Sequence, residues 1–356
     1  MDFQLSEKPV WENASRELGA IIGSAVADAV GAGYEFSVGV DSDLANQIGP
    51  IGGGPFHWKP GQWTDDTEQA IALIEALRHD PDRNVTHAAE NILSWYASEP
   101  TDIGTTTLNV LRSALHRTQV ENVDPVEACF QAARRHAVAH DLHRLDRSPL
   151  LTTMQGCGAL MRLSSCALLN SQRQAEEWAV ATAMLTHGSV HVTDLAASLG
   201  QIIWKASRLN GEPIHTIFNG VFDHIYDDLK ASWERLTSHD EVDVDTLISF
   251  NGTAPGALAC ALLAVIDVTD LHGDYRRNPT DWFRRCVQHA VAQGGDTDSV
   301  AAIVGAIAGG TVGYRHLPIV WMMPLHGFNH EGTNLDHDSL IKLTLQAIQV
   351  TRTEDL

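Results

Sequence analysis

Carboxylates in this chain gather where helices are expected to begin or end. Thr64, Asp65 and Asp66 stand in Gly61-Gln62-Trp63-Thr64-Asp65-Asp66-Thr67-Glu68, just ahead of an apolar stripe. Asp296, Asp298 and Ser299 stand in Gly294-Gly295-Asp296-Thr297-Asp298-Ser299, ahead of a long run of small apolar residues. Glu35 closes a small-residue stretch that starts at Gly23, and Asp102 opens Asp102-Ile103-Gly104-Thr105-Thr106. Taken singly, each segment reads first as capping, since Ser, Thr and Asp are preferred N-caps and first-turn carboxylates favour the helix dipole. Capping needs only one oxygen, however, and two segments supply adjacent or i, i+2 carboxylates flanked by hydroxyls. Like charges crowded at the start of a buried helix raise each other's pKa and destabilise the fold unless a cation neutralises them. Hard oxygen ligands without cysteine or clustered histidine select Mg²⁺, Mn²⁺ or Ca²⁺ over zinc. Thr64, Asp65, Asp66, Asp296, Asp298 and Ser299 offer enough oxygens for two octahedral ions, an arrangement that positions water and stabilises developing oxyanion charge.

Helices must position these groups. Ala70, Leu73, Ile74 and Leu77 recur at i, i+3, i+4, i+7, and Trp282, Phe283, Cys286, Val287, Ala290 and Val291 repeat the stripe. Similar patterns occur near 15–31, 85–97, 125–139, 172–186, 191–208, 254–267 and 338–350, while alternating β-type runs are hard to find. Ser299 to Gly313 reads as a buried helix in which Gly305 and Gly309, about one turn apart, allow a neighbour to approach closely. Loops are marked by residues 49–55, by Glu99-Pro100-Thr101-Asp102 and by the polar stretch from Ser238 to Asp245. With no low-complexity linker and no repeat of fixed period, the expectation is all-α: a single compact multi-helix domain over 1–356, its core at about 15–321.

Composition bounds the function classes. The 356 residues carry 45 acidic against 24 basic side chains, a net charge of -21, which disfavours electrostatic binding to nucleic acid or an anionic membrane. Hydrophobic residues make up 44% and charged ones 19%, which argues for a globular chain. Five cysteines without a CxxC pair argue against a disulfide framework and a thiolate zinc site, and for a cytoplasmic location. No basic region followed by an apolar one opens the sequence, so no signal peptide is expected. The uncharged run Ser299–Tyr314 is rich in Gly and Ala and shorter than the ~20 residues of a membrane span.

The order of these blocks also carries a resemblance. Gly23 to Phe36, Trp63-Thr64-Asp65-Asp66-Thr67, Asp102-Ile103-Gly104-Thr105-Thr106, Gly158-Ala159-Leu160-Met161-Arg162, Thr186-His187 and Gly294 to Ser299 occur in the order seen in the ADP-ribosylglycohydrolases. The resemblance runs from about Leu18 to about Trp321 and implies an all-α fold with a binuclear Mg²⁺ or Mn²⁺ centre in a cleft. It implies metal ligation by Thr64, Asp65, Asp66, Asp296, Asp298 and Ser299, the last standing where many relatives have threonine. Glu35 matches a glutamate that lies over the metals, and Asp102 an aspartate used near the metals or in acid–base work. Gly104, Gly156, Cys157, Gly158 and His187 match the substrate-binding loops, where a glycine can also serve helix packing and a histidine can simply end a helix.

Two positions depart from the family pattern. Cys157-Gly158 stands where relatives often carry Asn-Gly, and Ser164-Ser165 where a proline commonly follows Met-Arg. Both lie by the loop that cradles the substrate's diphosphate and distal ribose in relatives, so the linkage is the open question. The resemblance implies a hydrolase of the glycosidic bond between ADP-ribose and a modified side chain, arginine first, with Asp102 moving the proton and Glu35 placing water or ribose hydroxyls. The two roles could be exchanged. ADP-ribosyl-serine and O-acetyl-ADP-ribose are alternative substrates, and a non-catalytic ADP-ribose binder or structural relative is the rival of another class. The partners implied are an ADP-ribosylated protein or a small ADP-ribose conjugate, with a cognate ADP-ribosyltransferase or its target as a further candidate.

Overall fold

The computed structural model describes residues 14–40, 45–80, 82–142, 155–221 and 250–352. The helix α1 (Ser15–Gly31) is buried along nearly its whole length, which its Gly, Ala and Ser content makes possible. Helices α2 (Asp65–His79), α3 (Val85–Ala97), α4 (Thr105–Val120) and α5 (Pro125–Leu142) follow. Next come α6 (Gln172–Ala183), α7 (Val190–Ala206), α8 (Ala254–His272) and α9 (Pro279–Ala292). The last are α10 (Thr297–Val312), the single-turn α11 (Ile319–Met322) and α12 (His337–Arg352).

These starts are legible in the residues. Thr64, Asn84, Ser171, Thr253 and Asn278 each accept an amide of the first turn of the helix they precede. The expected stripes are core stripes: Ala70, Leu73, Ile74 and Leu77 of α2, and Trp282, Phe283, Cys286, Val287, Ala290 and Val291 of α9, are all buried. A single hydrophobic cluster includes residues from Ala14 to Ile348. The polar stretch from Ser238 to Asp245 lies outside the described residues.

At the centre α1 crosses α10, a helix buried at every position. Gly19 and Gly23 of α1 meet Gly305 and Gly309 of α10 backbone to backbone: a Cβ on Gly23 would sit 2.6 Å from the Gly305 carbonyl oxygen. At the far end of the crossing a Cβ on Gly31 would sit 2.5 Å from Asp298 Cα. The contact therefore sets where the α10 N-terminus lies relative to the α1 exit.

A small hairpin serves the same end. Strands β1 (His326–Phe328) and β2 (Asn334–Asp336) pair antiparallel, with Gly327 opposite Leu335. Trp63 donates its backbone N–H to the His326 carbonyl at 3.0 Å and its indole N–H to the Phe328 carbonyl at 2.9 Å. This fixes the chain immediately before Thr64. Helix α8 has the length and hydropathy of a membrane span, which Ser299–Tyr314 does not. Most of it is buried against the rest of the bundle, as a core helix would be.

Candidate active site

The acidic residues converge at the α1–α10 crossing. Asp65 and Asp66 open α2, Asp298 and Ser299 lie in the first turn of α10, Glu35 follows the exit of α1, and Asp102 precedes α4. Glu35, Asp102 and Asp298 each bring a carboxylate oxygen within 4.8 Å of the other two. Around them opens a cleft of about 400 Å³, a size that suits a small ligand. Gly104, Gly156, Cys157, Gly158 and His187 line it together with Asp65, Asp66, Asp296 and Ser299. Thr64 is the candidate that does not reach its wall: it is fully buried, and its hydroxyl accepts the Asp66 amide at 3.3 Å as the α2 cap.

The electrostatics are those of crowded anions. Burial raises the Glu35 carboxyl to about 8, with Asp102, Asp296 and Asp28 adding to the shift. Burial and neighbouring charges push Asp65, Asp66 and Asp298 well above the ordinary carboxylate range. Burial also raises Asp102 to about 6 against the hydrogen bond from the Ile103 amide. Among the described residues no Lys or Arg lines the cleft. Glu35 Oε2, Asp66 Oδ2 and Asp298 Oδ1 are buried without a hydrogen-bond partner, although buried acceptors are nearly always satisfied. Several hard oxygens, unpartnered and mutually repelling, fit a hard divalent cation.

Three groups that support the site escape a reading of the sequence. Asp28, wholly buried in α1, accepts the amides of Thr64 and Thr67 at 3.1 Å and the Thr67 hydroxyl at 2.5 Å. It thereby caps the start of α2 from another helix. Burial raises its carboxyl to about 6 against those hydrogen bonds. The only sequence signal is an aspartate in the middle of a small-residue helix. Arg162, 0% exposed, reaches between α2 and the end of α6, whereas an arginine in sequence reads as surface. Gly252 and Thr253, just ahead of α8, complete the wall beside Asp296 and carry no motif of their own.

The comparisons with known proteins agree with this geometry. The profile of the ADP-ribosylglycohydrolase family matches residues 12–355. The chain belongs to that family. The ADP-ribosyl-[dinitrogen reductase] glycohydrolase of Rhodospirillum rubrum is 29% identical over 318 residues, 87% of this chain and 90% of the relative. An ADP-ribosylarginine hydrolase of Serratia proteamaculans (strain 568) is 26% identical, covering 88% of this chain and 76% of the relative. A solved structure titled "ADP-ribosylglycohydrolase-related protein complex" superposes with a TM-score of 0.64 at 26% identity, covering 96% of this chain and 99% of that one. The chain is thus a hydrolase of the ADP-ribosylglycohydrolase type.

In that light the cysteine that departs from the family pattern has a definite place. Cys157 Sγ donates to Asp296 Oδ2 at 3.1 Å, and burial with the Asp296 and Asp66 charges pushes its thiol upward. It stands at the wall of the cleft as a thiol that donates to a candidate metal ligand.

Proposed function

We propose that this ADP-ribosylglycohydrolase cleaves the glycosidic bond between ADP-ribose and an arginine side chain, releasing ADP-ribose, with two Mg²⁺ or Mn²⁺ ions as cofactors. The observation that carries the reading is the meeting of Glu35, Asp102 and Asp298 within 4.8 Å in a cleft walled by Asp65, Asp66 and Asp296. The proposed ligands are Asp65, Asp66, Asp296, Asp298 and Ser299, with Thr64 contributing through its remaining lone pair. When bound, such ions supply Lewis-acid stabilisation of oxygens near the reacting centre and lower the pKa of water.

The chain's own groups divide the remaining tasks. Asp102 stands at the half-buried side of the cleft, with a carboxylate oxygen within 4.8 Å of Glu35 and Asp298, where it can reach the reacting groups. It moves the proton: the anomeric C–N bond breaks, water adds its oxygen to the anomeric carbon, and its proton goes to the departing guanidine nitrogen. Glu35 places water or the ribose hydroxyls through the Oε2 that has no partner. Gly156 and Gly158, with the hydroxyls of Thr105, Thr106 and Thr107 at the start of α4, offer donors to a diphosphate.

The substrate is an ADP-ribosylated protein, and the five free, buried cysteines favour a cytoplasmic setting. The Serratia relative is named an ADP-ribosylarginine hydrolase, whereas ADP-ribosylhydrolase ARH3 of Mus musculus, 23% identical over 332 residues, carries no linkage in its name. Release of ADP-ribose from arginine-modified, serine-modified and O-acetyl conjugates, with and without EDTA, tests the reading. Preferential, EDTA-sensitive release from arginine supports it. Preference for another conjugate would keep the site and replace the linkage, and binding without turnover would make the chain a binder.

A further inference from the structure

A continuous hydrogen-bonded chain runs through the protein from the metal side of the cleft to its substrate side. Gln69, one turn into α2, donates Nε2–H to Asp65 Oδ2 at 2.9 Å. Its Oε1 accepts from Arg162 NH1 at 2.7 Å. The other terminal nitrogen of Arg162 donates to the Thr182 carbonyl at 2.7 Å and to Thr186 Oγ1 at 2.8 Å. Thr186 Oγ1 in turn lies 2.8 Å from His187 Nδ1. Gln69, Arg162, Thr182 and Thr186 are 0% exposed and His187 is 1% exposed.

The polarity of this chain is not free. A guanidinium only donates. Facing Arg162, Gln69 must present its carbonyl oxygen, which leaves its amide N–H₂ for Asp65 and holds that carboxylate in one orientation. Thr186 must accept from Arg162, and among the described residues its hydroxyl hydrogen has no acceptor other than His187 Nδ1. Nδ1 is then the lone-pair nitrogen and Nε2 carries the hydrogen. Nε2 is buried, makes no hydrogen bond of regular geometry beyond the weak approach of the Gly156 carbonyl to the ring, and belongs to a ring that lines the cleft. Gly158 leaves the ring reachable, because a Cβ there would sit 3.4 Å from His187 Cε1 and 3.0 Å from Thr107 Oγ1.

We propose that Arg162 is the positioning residue of this site, its donor-only guanidinium orienting Asp65 at one end and fixing His187 as an Nε2–H donor to a substrate oxygen at the other. The inference rests on the ADP-ribose reading for the identity of that oxygen, a ribose hydroxyl or a diphosphate oxygen. Its hydrogen-bond logic stands without it. The ring also stays neutral: burial, with Arg162 and His136 adding, lowers its pKa to about 3 against the Gly156 carbonyl.

The test separates the two ends. Thr186→Val keeps the shape, removes the hydroxyl and leaves Arg162 its bonds to Gln69 and Thr182. Ring ¹⁵N spectra of histidine-labelled protein, with the His187 signals assigned by their loss in His187→Gln, report the tautomer without any substrate. Wild type should show a pyridine-type Nδ1 and a pyrrole-type Nε2, Thr186→Val a mixture, and Thr186→Ser the wild-type pattern. KM for the ADP-ribosylarginine substrate should rise by the inverse of the Nε2–H fraction read from the spectra, about twofold for an even mixture and about tenfold where a tenth remains. kcat and Mg²⁺ affinity should stay within about twofold. Arg162→Lys, which keeps the charge and loses the fork, should weaken Mg²⁺ as well, because Asp65 is released. A wild-type tautomer in Thr186→Val, or an unchanged KM, would overturn the proposal. If wild type does not turn over the substrate, the functional reading fails while the spectra still decide the polarity of the chain.

Discussion

The α1–α10 crossing predicts a large difference between two alanine substitutions five residues apart on one helix. A Cβ on Gly305 would overlap the Gly23 carbonyl oxygen and sit 2.6 Å from Ala27 Cβ, so both neighbours are parts of α1 itself or of a short side chain that cannot swing away. Restoring ordinary contact at 3.4 Å or more requires the helices to separate by about 1 Å. Overpacking of this kind costs about 1–3 kcal/mol, and a backbone neighbour places it at the upper end. Replacing a helix-interior glycine returns about 1 kcal/mol of propensity, so Gly305→Ala should lose about 2 kcal/mol net. A Cβ on Gly310 meets the Ser207 amide nitrogen at 3.3 Å and Ala20 Cβ at 3.4 Å, so Gly310→Ala should be neutral or up to about 1 kcal/mol stabilising. Thermal unfolding at one pH in EDTA measures both, and the pair should differ by about 5 °C or more at the ~2–4 °C per kcal/mol expected of larger domains. Because Asp298 and Ser299 ride on α10, Gly305→Ala should also raise the Mg²⁺ concentration at half-saturation. Equal melting shifts for the two variants would refute the claim that this backbone contact positions the site.

Other expectations follow from the same geometry. In metal-free protein Asp28 and Asp102 are raised to about 6, and Glu35 and Glu68 to about 8, so their folded pKa values lie above the unfolded ones. The stability they contribute is full below about pH 4 and is lost as pH rises through 6 to 8. Melting in EDTA should therefore fall between pH 5 and pH 8, and added Mg²⁺ should recover more at pH 8; a metal-free midpoint that climbs over this range contradicts it. Asp28→Ala strands the buried amides of Thr64 and Thr67 and should cost about 3 kcal/mol or more, with Asn intermediate, as read by denaturant unfolding. Asp298→Asn removes one of the repelling anions and should raise the melting point in EDTA at pH 8 while abolishing most of the stabilisation by Mg²⁺. A lower melting point in EDTA would show that the carboxylate has a protein partner.

Much of this architecture was legible in the chain, and the rest fails to be for identifiable reasons. Helical periodicity marks α2 and α9 because their buried faces are continuous stripes of large apolar residues. Gly305 and Gly309 announce a close contact, but only the fold shows that Gly19 and Gly23 supply the other side, since a sequence does not say which helices cross. The carboxylates of four separate segments can be collected as oxygen donors from their types. That Glu35 and Asp102 join Asp298 in one cluster, instead of standing apart from the metal ligands, is a matter of tertiary placement. Gln69 and Asp28 stay hidden because a lone polar residue within a helical pattern carries no signal of its partners, and Arg162, though it ends the Gly158-to-Arg162 block, does not announce which groups it joins. The three-residue strands of the hairpin are too short for alternation to register, yet they hold Trp63 and so the start of α2.

The measurement that tests the central claim most directly is ADP-ribose release from mono-ADP-ribosyl-arginine protein, with Mg²⁺ or Mn²⁺ and then with EDTA, for wild type and for Asp102→Asn. Metal-dependent release by wild type and its loss by at least a hundredfold in a folded, metal-binding Asp102→Asn is the expected result. Release that survives EDTA, or that Asp102→Asn leaves undiminished, would contradict the account of how this cleft works.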